Sequence, residues 1–204
     1  MIGKPIKSKK MEKIRIDATK RSPIKMLMLS LTLIMLFAHC EIQNDFEYEH
    51  SNPGGKLSVN AWEYIQQTDS LSLMEAAIIA AGLQSLYTET ADKTFIVPRN
   101  SAFRAYLKAN KYASISAIPA TTLQNVIKYH VVKAWVVFSD PEMLANNPIS
   151  YETESGQVMY LSRNTNYQGL INSGTKKSWT IITSNLEPTN GVIHITADVV
   201  YLSN

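Results

Sequence analysis

The last apolar segment of the chain decides the fold, and it reads Asn190-Gly191-Val192-Ile193-His194-Ile195-Thr196-Ala197-Asp198-Val199-Val200-Tyr201-Leu202. Asn-Gly is a strong signal for a tight hairpin, because both residues tolerate the positive φ that a primed turn needs. The residues after it are rich in β-branched side chains, which favour strands. Apolar side chains alternate onto one face and then occupy both faces near the end, which is typical of a central strand. We therefore predict that the last strand closes the core.

A second informative stretch, Thr94–Phe103, predicts a strand followed directly by a helix. Its apolar run forms a buried strand, and Pro98 ends that strand because proline cannot donate to a ladder. Asn100 is a favourable N-cap for the following helix. The apolar side chains of that helix repeat at helical spacing, at Ala102, Phe103, Tyr106 and Leu107.

Three further helical segments are predicted from apolar side chains at helical spacing. The first surrounds Trp62, and the last opens at Pro119. In the second, Ser72 and Glu75 have the spacing of a capping box, and Gly82 supplies the stop. A short helical turn over Leu83–Tyr87 follows that stop. Helices early and strands late indicate an α+β domain.

Both stretches resemble the signature boxes of fasciclin-type (FAS1) domains. Thr94–Phe103 resembles the first box, with Arg99 where threonine is common, and Asn190–His194 resembles the second. Tyr129-His130 resembles the Tyr-His motif between the boxes. Three more features follow in the family's order, at Thr153-x-x-Gly156, Leu170–Gly174 and the strand Trp179–Thr183 that pairs back from the Asn-Gly turn.

The resemblance covers residues 57–204 and implies a FAS1-like fold. This is an α+β wedge of two packed, twisted β-sheets with helices along one side. In this family the Tyr-His neighbourhood is associated with cell adhesion, so the resemblance makes Tyr129 and His130 candidate interaction residues. The alternative for His130 is a core histidine whose ring N–H bonds a backbone carbonyl.

The charge of the chain is distributed unevenly along its length. The formal net charge is +3 over 204 residues, but nine of the 20 Lys and Arg residues lie in the first 25 positions. Residues 26–204 contain the remaining 11 Lys and Arg residues and 15 acidic residues, so their net charge is −4. A mildly acidic body without a basic stripe argues against nucleic acid as a partner.

The N-terminal region resembles a bacterial lipoprotein signal. A basic start precedes the apolar run Met26–His39, which at 14 residues fits a signal peptide better than a membrane span. Leu36–Cys40 resembles a lipoprotein box, which implies lipid attachment at Cys40. The alternatives are that the run is a buried core helix and that Cys40 is a spare thiol. Because Cys40 is the sole cysteine, the chain cannot form an internal disulfide.

We therefore predict a signal peptide over residues 1–39 and an acidic tether over residues 40–56. The tether is polar and ends in Pro53-Gly54-Gly55, as linkers do. Its acidic residues resemble the surface-export signals of Bacteroidetes-type lipoproteins. The resemblance therefore leads us to expect a lipid-anchored protein of the bacterial cell envelope, at the outer membrane and exposed at the surface.

The sequence carries no motif of a known catalytic or cofactor site, such as a nucleophile elbow or a P-loop. His130 and His194 are the histidines within 57–204, without a third ligand at metal spacing. Either could meet Ser101 or Asp198 in space, as a hydrolase would require. We expect no cofactor, no metal and no catalysis.

Three functions compete. The first is a non-catalytic adhesion or binding domain whose partner is an extracellular or envelope protein or a glycan. The second is an accessory subunit of an outer-membrane nutrient-uptake or fimbrial assembly, and the third is a hydrolase of envelope polymers. A related question concerns Trp62, Trp135 and Trp179, which we interpret as core residues rather than a sugar-stacking platform.

Overall fold

The computed structural model describes residues 55–201. The predicted signal peptide, Cys40 and nearly all of the predicted tether lie outside the described residues. The helices are α1 (Ala61–Gln67), α2 (Ser72–Ala81), α3 (Gln84–Thr88), α4 (Asn100–Ala109) and α5 (Ala120–Tyr129). The strands are β1 (Lys93–Pro98), β2 (Val131–Val132), β3 (Ile149–Glu152), β4 (Val158–Arg163), β5 (Gly169–Ile171), β6 (Trp179–Leu186) and β7 (Gly191–Thr196).

The strands form two sheets that share β6, in the order β2-β1-β7-β6-β5-β4-β3. Trp179 and Thr180 at the start of β6 pair with β5, whereas the rest of β6 pairs with β7. Strand β7 lies between β1, to which it is parallel, and β6, to which it is antiparallel. The prediction that the last strand is central is therefore confirmed.

Side chains alternate across β1, so this strand is buried on both faces and separates two hydrophobic clusters of the described residues. Phe95 and Val97 pack against the helices, together with Ile193 of β7. Ile96 points the other way, between the sheets, where it packs with residues from β4 and β5 such as Leu161 and Ile171. The predicted α+β class, with packed sheets and helices along one side, is confirmed.

Two predicted helix caps are wrong. Ser72 is the first residue of α2 and makes no capping bond, and Asn100 is the first residue of α4 rather than its N-cap. The Asn100 side chain instead accepts a hydrogen bond from the backbone N–H of Leu73 (2.8 Å) and donates to the Asp69 carbonyl (2.9 Å). Asn100 therefore fastens the start of α2 to the start of α4. The capping box belongs to Asn60 and Glu63 at α1.

The Asn190-Gly191 pair does not form the predicted primed turn, because neither residue has a positive φ. The Asn190 side chain is buried and reaches three distant backbone groups. It accepts a hydrogen bond from Ala61 N (2.8 Å) and donates to the carbonyls of Tyr87 (2.9 Å) and Glu89 (3.0 Å). Asn190 thus joins the start of β7 to α1 and to the end of α3.

Gly191 is required by close approach of two strands rather than by its φ. A Cβ at this position would lie 2.4 Å from the carbonyl oxygen of Lys93 and 2.7 Å from the Phe95 ring. Because β1 runs parallel to β7 here, the neighbouring backbone leaves room for hydrogen alone. The dipeptide therefore matters for contacts between elements and not for a local turn.

Strand β7 is shorter than predicted. It ends at Thr196, whose hydroxyl donates to the Asp198 carbonyl (2.7 Å) and turns the chain out of the ladder. Val199 and Val200 are buried beyond the strand. The backbone N–H of Val200 donates to Nε2 of His130 (3.0 Å), so a side chain replaces the strand partner that this segment lacks.

Candidate functional site

Tyr129, the first predicted interaction residue, ends α5 with its ring turned inward and is 2% exposed. Its hydroxyl donates to the Val158 carbonyl (3.3 Å) and accepts a hydrogen bond from Nδ2 of Asn172 (3.0 Å). Burial raises the pKa of the hydroxyl above its ordinary value, so it stays protonated. Tyr129 also contributes to the wall of a surface pocket described below.

His130, the second predicted interaction residue, is 1% exposed, and both of its ring nitrogens bond the backbone. Nδ1 lies 2.7 Å from the Val126 carbonyl and must donate, because a carbonyl only accepts. Nε2 accepts from Val200 N, so the ring is neutral. Burial lowers its pKa to about 4. A direct partner contact by this ring would require both bonds to break.

His194 has the same kind of environment on β7. Its Nδ1 accepts a hydrogen bond from Asn185 N (3.1 Å), and its Nε2 donates to the Val136 carbonyl (3.0 Å). The ring is fully buried beside Phe138, with 4.5 Å between ring centroids. Burial lowers its pKa to about 4. Both histidines therefore tie a segment outside the regular elements to its neighbours, His130 holding Val200 and His194 holding Val136.

The structure does not assemble the residues that a hydrolase would use. Ser101 and Asp198 are exposed, whereas His130 and His194 are buried with their ring nitrogens already bonded to backbone atoms. Within residues 55–201, the His, Cys, Asp and Glu side chains form no group that could hold a metal ion. No helix in this range is both long and apolar enough to cross a membrane.

The three tryptophans lie in different surroundings. Trp62 is half-buried against the helical cluster, and Trp179 is half-buried against the cluster between the sheets. The interpretation as a core residue is confirmed for Trp62, whereas Trp179 packs against the core on one side and also lines a surface pocket described below. The interpretation is wrong for Trp135, which is 44% exposed on the loop after β2.

An open pocket of about 370 Å³ lies where α4, α5 and the β3–β4 hairpin meet, and we call it the tyrosine pocket. Its lining side chains are uncharged and carry aromatic rings, hydroxyls and amides. They are Tyr106, Asn110, Tyr112, Thr122, Asn125, Val126, Tyr129, Ser155, Gln157 and Tyr201. Its size falls within the range of small-molecule sites, roughly 300–1,000 Å³.

A second pocket of about 520 Å³, the lysine pocket, adjoins it and shares Tyr106 and Tyr201. Three alanines of α4 form one side of the lysine pocket, at positions 102, 105 and 109. Lys176, Lys177 and Trp179 also line this pocket, and Asp198 contributes one carboxylate. Small side chains on the helix leave the space that the pocket occupies.

Tyr106 and Tyr201 form the ridge between the two pockets. Their rings meet edge to face with centroids 5.1 Å apart, a favoured aromatic geometry. The Nζ of Lys177 lies 5.0 Å from the Tyr201 ring centroid, within cation–π range. Burial raises the pKa of the Tyr106 hydroxyl, which therefore remains a neutral hydrogen-bonding group.

The tyrosine pocket and the lysine pocket together form what we call the double pocket, and sequence reasoning missed it. Tyr106 and Tyr201 are 95 positions apart, and only the packing of α4 against the segment after β7 brings them together. The adjacent pair Lys176-Lys177 was the one visible signal, and a lysine pair alone does not indicate a site. The arrangement offers aromatic faces, amides and positive charge, which suits binding rather than bond cleavage.

Comparison with known proteins agrees with this fold. The fasciclin domain model matches residues 69–201. Human periostin (Homo sapiens) is 30% identical over 139 residues, which are 68% of this chain and 15% of periostin. The chain therefore spans a small part of that relative's length.

Among solved structures, a FAS1 domain pair from the insect cell adhesion molecule fasciclin I superimposes with a TM-score of 0.58. The match covers 71% of this chain and 51% of that one at 12% sequence identity, and it therefore shows the fold alone. The family model covers well over half of the residues. The chain belongs to the fasciclin domain family.

Proposed function

We propose that this protein is a lipid-anchored protein of the bacterial cell envelope whose FAS1 domain binds a surface partner without catalysis. The observation that carries the proposal is the double pocket around Tyr106 and Tyr201, an open groove with aromatic, amide and cationic groups. Membership of a family that includes an insect cell adhesion molecule supports the same view.

The predicted pair Tyr129 and His130 enters the proposal with two different roles. Tyr129 reaches the tyrosine pocket and is retained as a contact residue. His130 holds Val200 N and the Val126 carbonyl, and Val126 itself lines the pocket. His130 therefore supports the wall of the pocket rather than touching the partner.

The anchor rests on the resemblance of Leu36–Cys40 to a lipoprotein box. One acyl chain gives only marginal membrane binding, at ~0.8 kcal/mol per buried methylene, so stable anchoring needs more than one. Bacterial lipoproteins carry two or three. The predicted polar tether, residues 40–56, would connect this anchor to the FAS1 domain.

Two measurements on the full chain test the proposal. Mass spectrometry of the mature N-terminus, isolated from a bacterial membrane fraction, is expected to show a diacylglyceryl Cys40. An array of matrix proteins, envelope proteins and glycans is expected to show binding without turnover. An unmodified N-terminus at Met1 would contradict the anchor. An array without any bound partner would contradict the binding function, and stoichiometric subunits in a detergent extract would favour the accessory-subunit alternative.

A further inference from the structure

We propose that the double pocket binds an acidic oligosaccharide, with a neutral sugar ring in the tyrosine pocket and a carboxylate or sulfate in the lysine pocket. This inference rests on the proposed binding function and names its ligand class. Neither the family match nor the relatives assign a ligand to this groove.

The tyrosine pocket has the chemistry that an uncharged sugar ring requires. One face of a pyranose presents C–H groups, which pack on an aromatic ring such as that of the half-buried Tyr112. The ring of Tyr106 is only 7% exposed and supports Tyr112 at a centroid distance of 6.4 Å. The sugar hydroxyls need partners that both donate and accept, as the exposed amides of Asn125 and Gln157 do. A charged ligand group would find no counter-ion among these lining residues.

The lysine pocket has the chemistry that an anion requires. Lys176 and Lys177 contribute two positive charges against the one negative charge of Asp198, so the lining carries a net charge of +1. Ammonium groups bind carboxylate and sulfate oxygens as point charges with rotatable donors. Trp179 and Tyr201 also line this pocket, and the Tyr201 ring centroid lies 5.0 Å from the Lys177 Nζ.

The continuity of the two pockets indicates a chain of sugars rather than a single small anion. Both pockets are lined by Tyr106 and Tyr201, so one ligand crossing this ridge touches a neutral subsite and a cationic subsite. An acidic peptide fits less well, because the lining offers side-chain amides and hydroxyls from helices and loops instead of a free strand edge. Nucleic acid is disfavoured because basic and acidic side chains balance at 11 each over residues 55–201.

Isothermal titration calorimetry of the full chain in detergent tests the inference with four probes of similar length. These are tetragalacturonate, a heparin-derived tetrasaccharide, neutral cellotetraose and tetraglutamate. The first two distinguish carboxylate from sulfate recognition, the third isolates the neutral subsite, and the fourth tests a peptide. Each titration is run at low and high salt, because attraction between exposed charges is screened by salt.

A double variant, Lys176→Ala with Lys177→Ala, removes the cationic subsite. Its matched control, Arg104→Ala with Lys108→Ala, removes the same charge from exposed positions of α4 outside both pockets. Asn125→Ala weakens the neutral subsite alone. Thermal unfolding by circular dichroism establishes that each variant is folded.

We expect one acidic saccharide to bind about tenfold more tightly than cellotetraose, with the difference abolished in the lysine variant and retained in its control. Asn125→Ala is expected to weaken acidic and neutral saccharides by the same factor. Equal affinity for acidic and neutral probes, preference for tetraglutamate, or an unaltered lysine variant would each overturn the inference.

The outcomes also separate this inference from the proposed function. If the wild-type chain binds a partner on the array and none of the saccharides, the ligand class is wrong and the binding function stands. If neither the array nor the calorimeter shows binding by a chain that is folded, both are wrong.

Discussion

The substitution Asn190→Asp discriminates between two explanations of the Asn-Gly dipeptide. In a primed turn aspartate is also favoured, so a turn role predicts a nearly neutral change. In the structure the Asn190 amide nitrogen instead donates to the carbonyls of Tyr87 and Glu89, at 2.9 and 3.0 Å. Aspartate would place an oxygen, and at neutral pH a negative charge, against these two carbonyls.

The magnitude follows from the bonds that are lost. The site is 5% exposed, so water does not replace them readily. A buried polar group left without its partner costs about 1–3 kcal/mol, and more if it is charged. The two carbonyls together give an expected loss of about 3–5 kcal/mol, a large share of the 5–15 kcal/mol that typically stabilises a domain. The hydrogen bond accepted from Ala61 N survives and does not add to the loss.

Urea unfolding followed by circular dichroism measures this loss. With a slope of roughly 2 kcal/mol per molar urea, the midpoint is expected to fall by about 1.5–2.5 M. The control Asn166→Asp introduces the same charge at an exposed position and is expected to stay within about 0.5 kcal/mol. If Asn190→Asp matched that control, Asn190 would not join β7 to the helices, and our explanation would be refuted.

Three further predictions concern stability. Gly191→Ala places a Cβ against the neighbouring backbone and is expected to reduce the free energy of unfolding by about 3 kcal/mol, as overpacking does. The control Gly82→Ala adds a Cβ in open space at φ +69° and is expected to cost about 1 kcal/mol. Equal urea midpoints for the two variants would contradict the close approach at Gly191. Phe103→Ala empties a buried site on α4 and is expected to cost about 3–5 kcal/mol, so an unchanged melting temperature would count against the core. Acid is expected to destabilise the fold through His130 and His194, because burial lowers their pKa from 6.5 in the unfolded chain to about 4 in the folded chain. Between these two pH values the unfolded chain binds more protons than the folded chain, so stability falls as the pH is lowered. Their stabilising contribution is complete above pH 6.5 and falls by about 3 kcal/mol per histidine as the pH drops to 4; urea midpoints that do not change between pH 7 and pH 4.5 would contradict it.

Local patterns in the sequence predicted the elements well where each element's own side chains decide its form. The helix predicted to open at Pro119 is α5, and its apolar side chains at helical spacing, Leu123, Val126 and Ile127, are buried. The β-branched run of β7 gave a central strand. Gly82, with φ +69°, ends α2 as its position predicted.

The predictions failed where a side chain serves a distant partner. Ser72, Asn100 and Asn190 are residue types that favour caps and turns, so local rules assigned them those roles. In the structure Asn100 bonds the backbone 27 positions away, and Asn190 reaches Ala61 across 129 positions. Such bonds follow from the assembled fold and leave no periodic signal.

The candidate site was predicted less well than the fold, for a related physical reason. The family resemblance directed attention to Tyr129 and His130, which lie in the interior. The lining groups of the double pocket come from α4, α5, three loops, the start of β6 and the segment after β7. Their residue types are ordinary, and their proximity is a property of packing alone.

We propose that this FAS1 domain binds its partner through the double pocket. Ala105→Trp tests it most directly, because Ala105 lines the lysine pocket from an exposed position on α4 and an indole there fills the groove. The measurement is binding of the full chain and of this variant to an array of envelope proteins, matrix proteins and glycans. We expect the wild-type chain to bind a partner and the variant to lose that binding at an unchanged melting temperature. A folded variant that binds as tightly as the wild-type chain would contradict it.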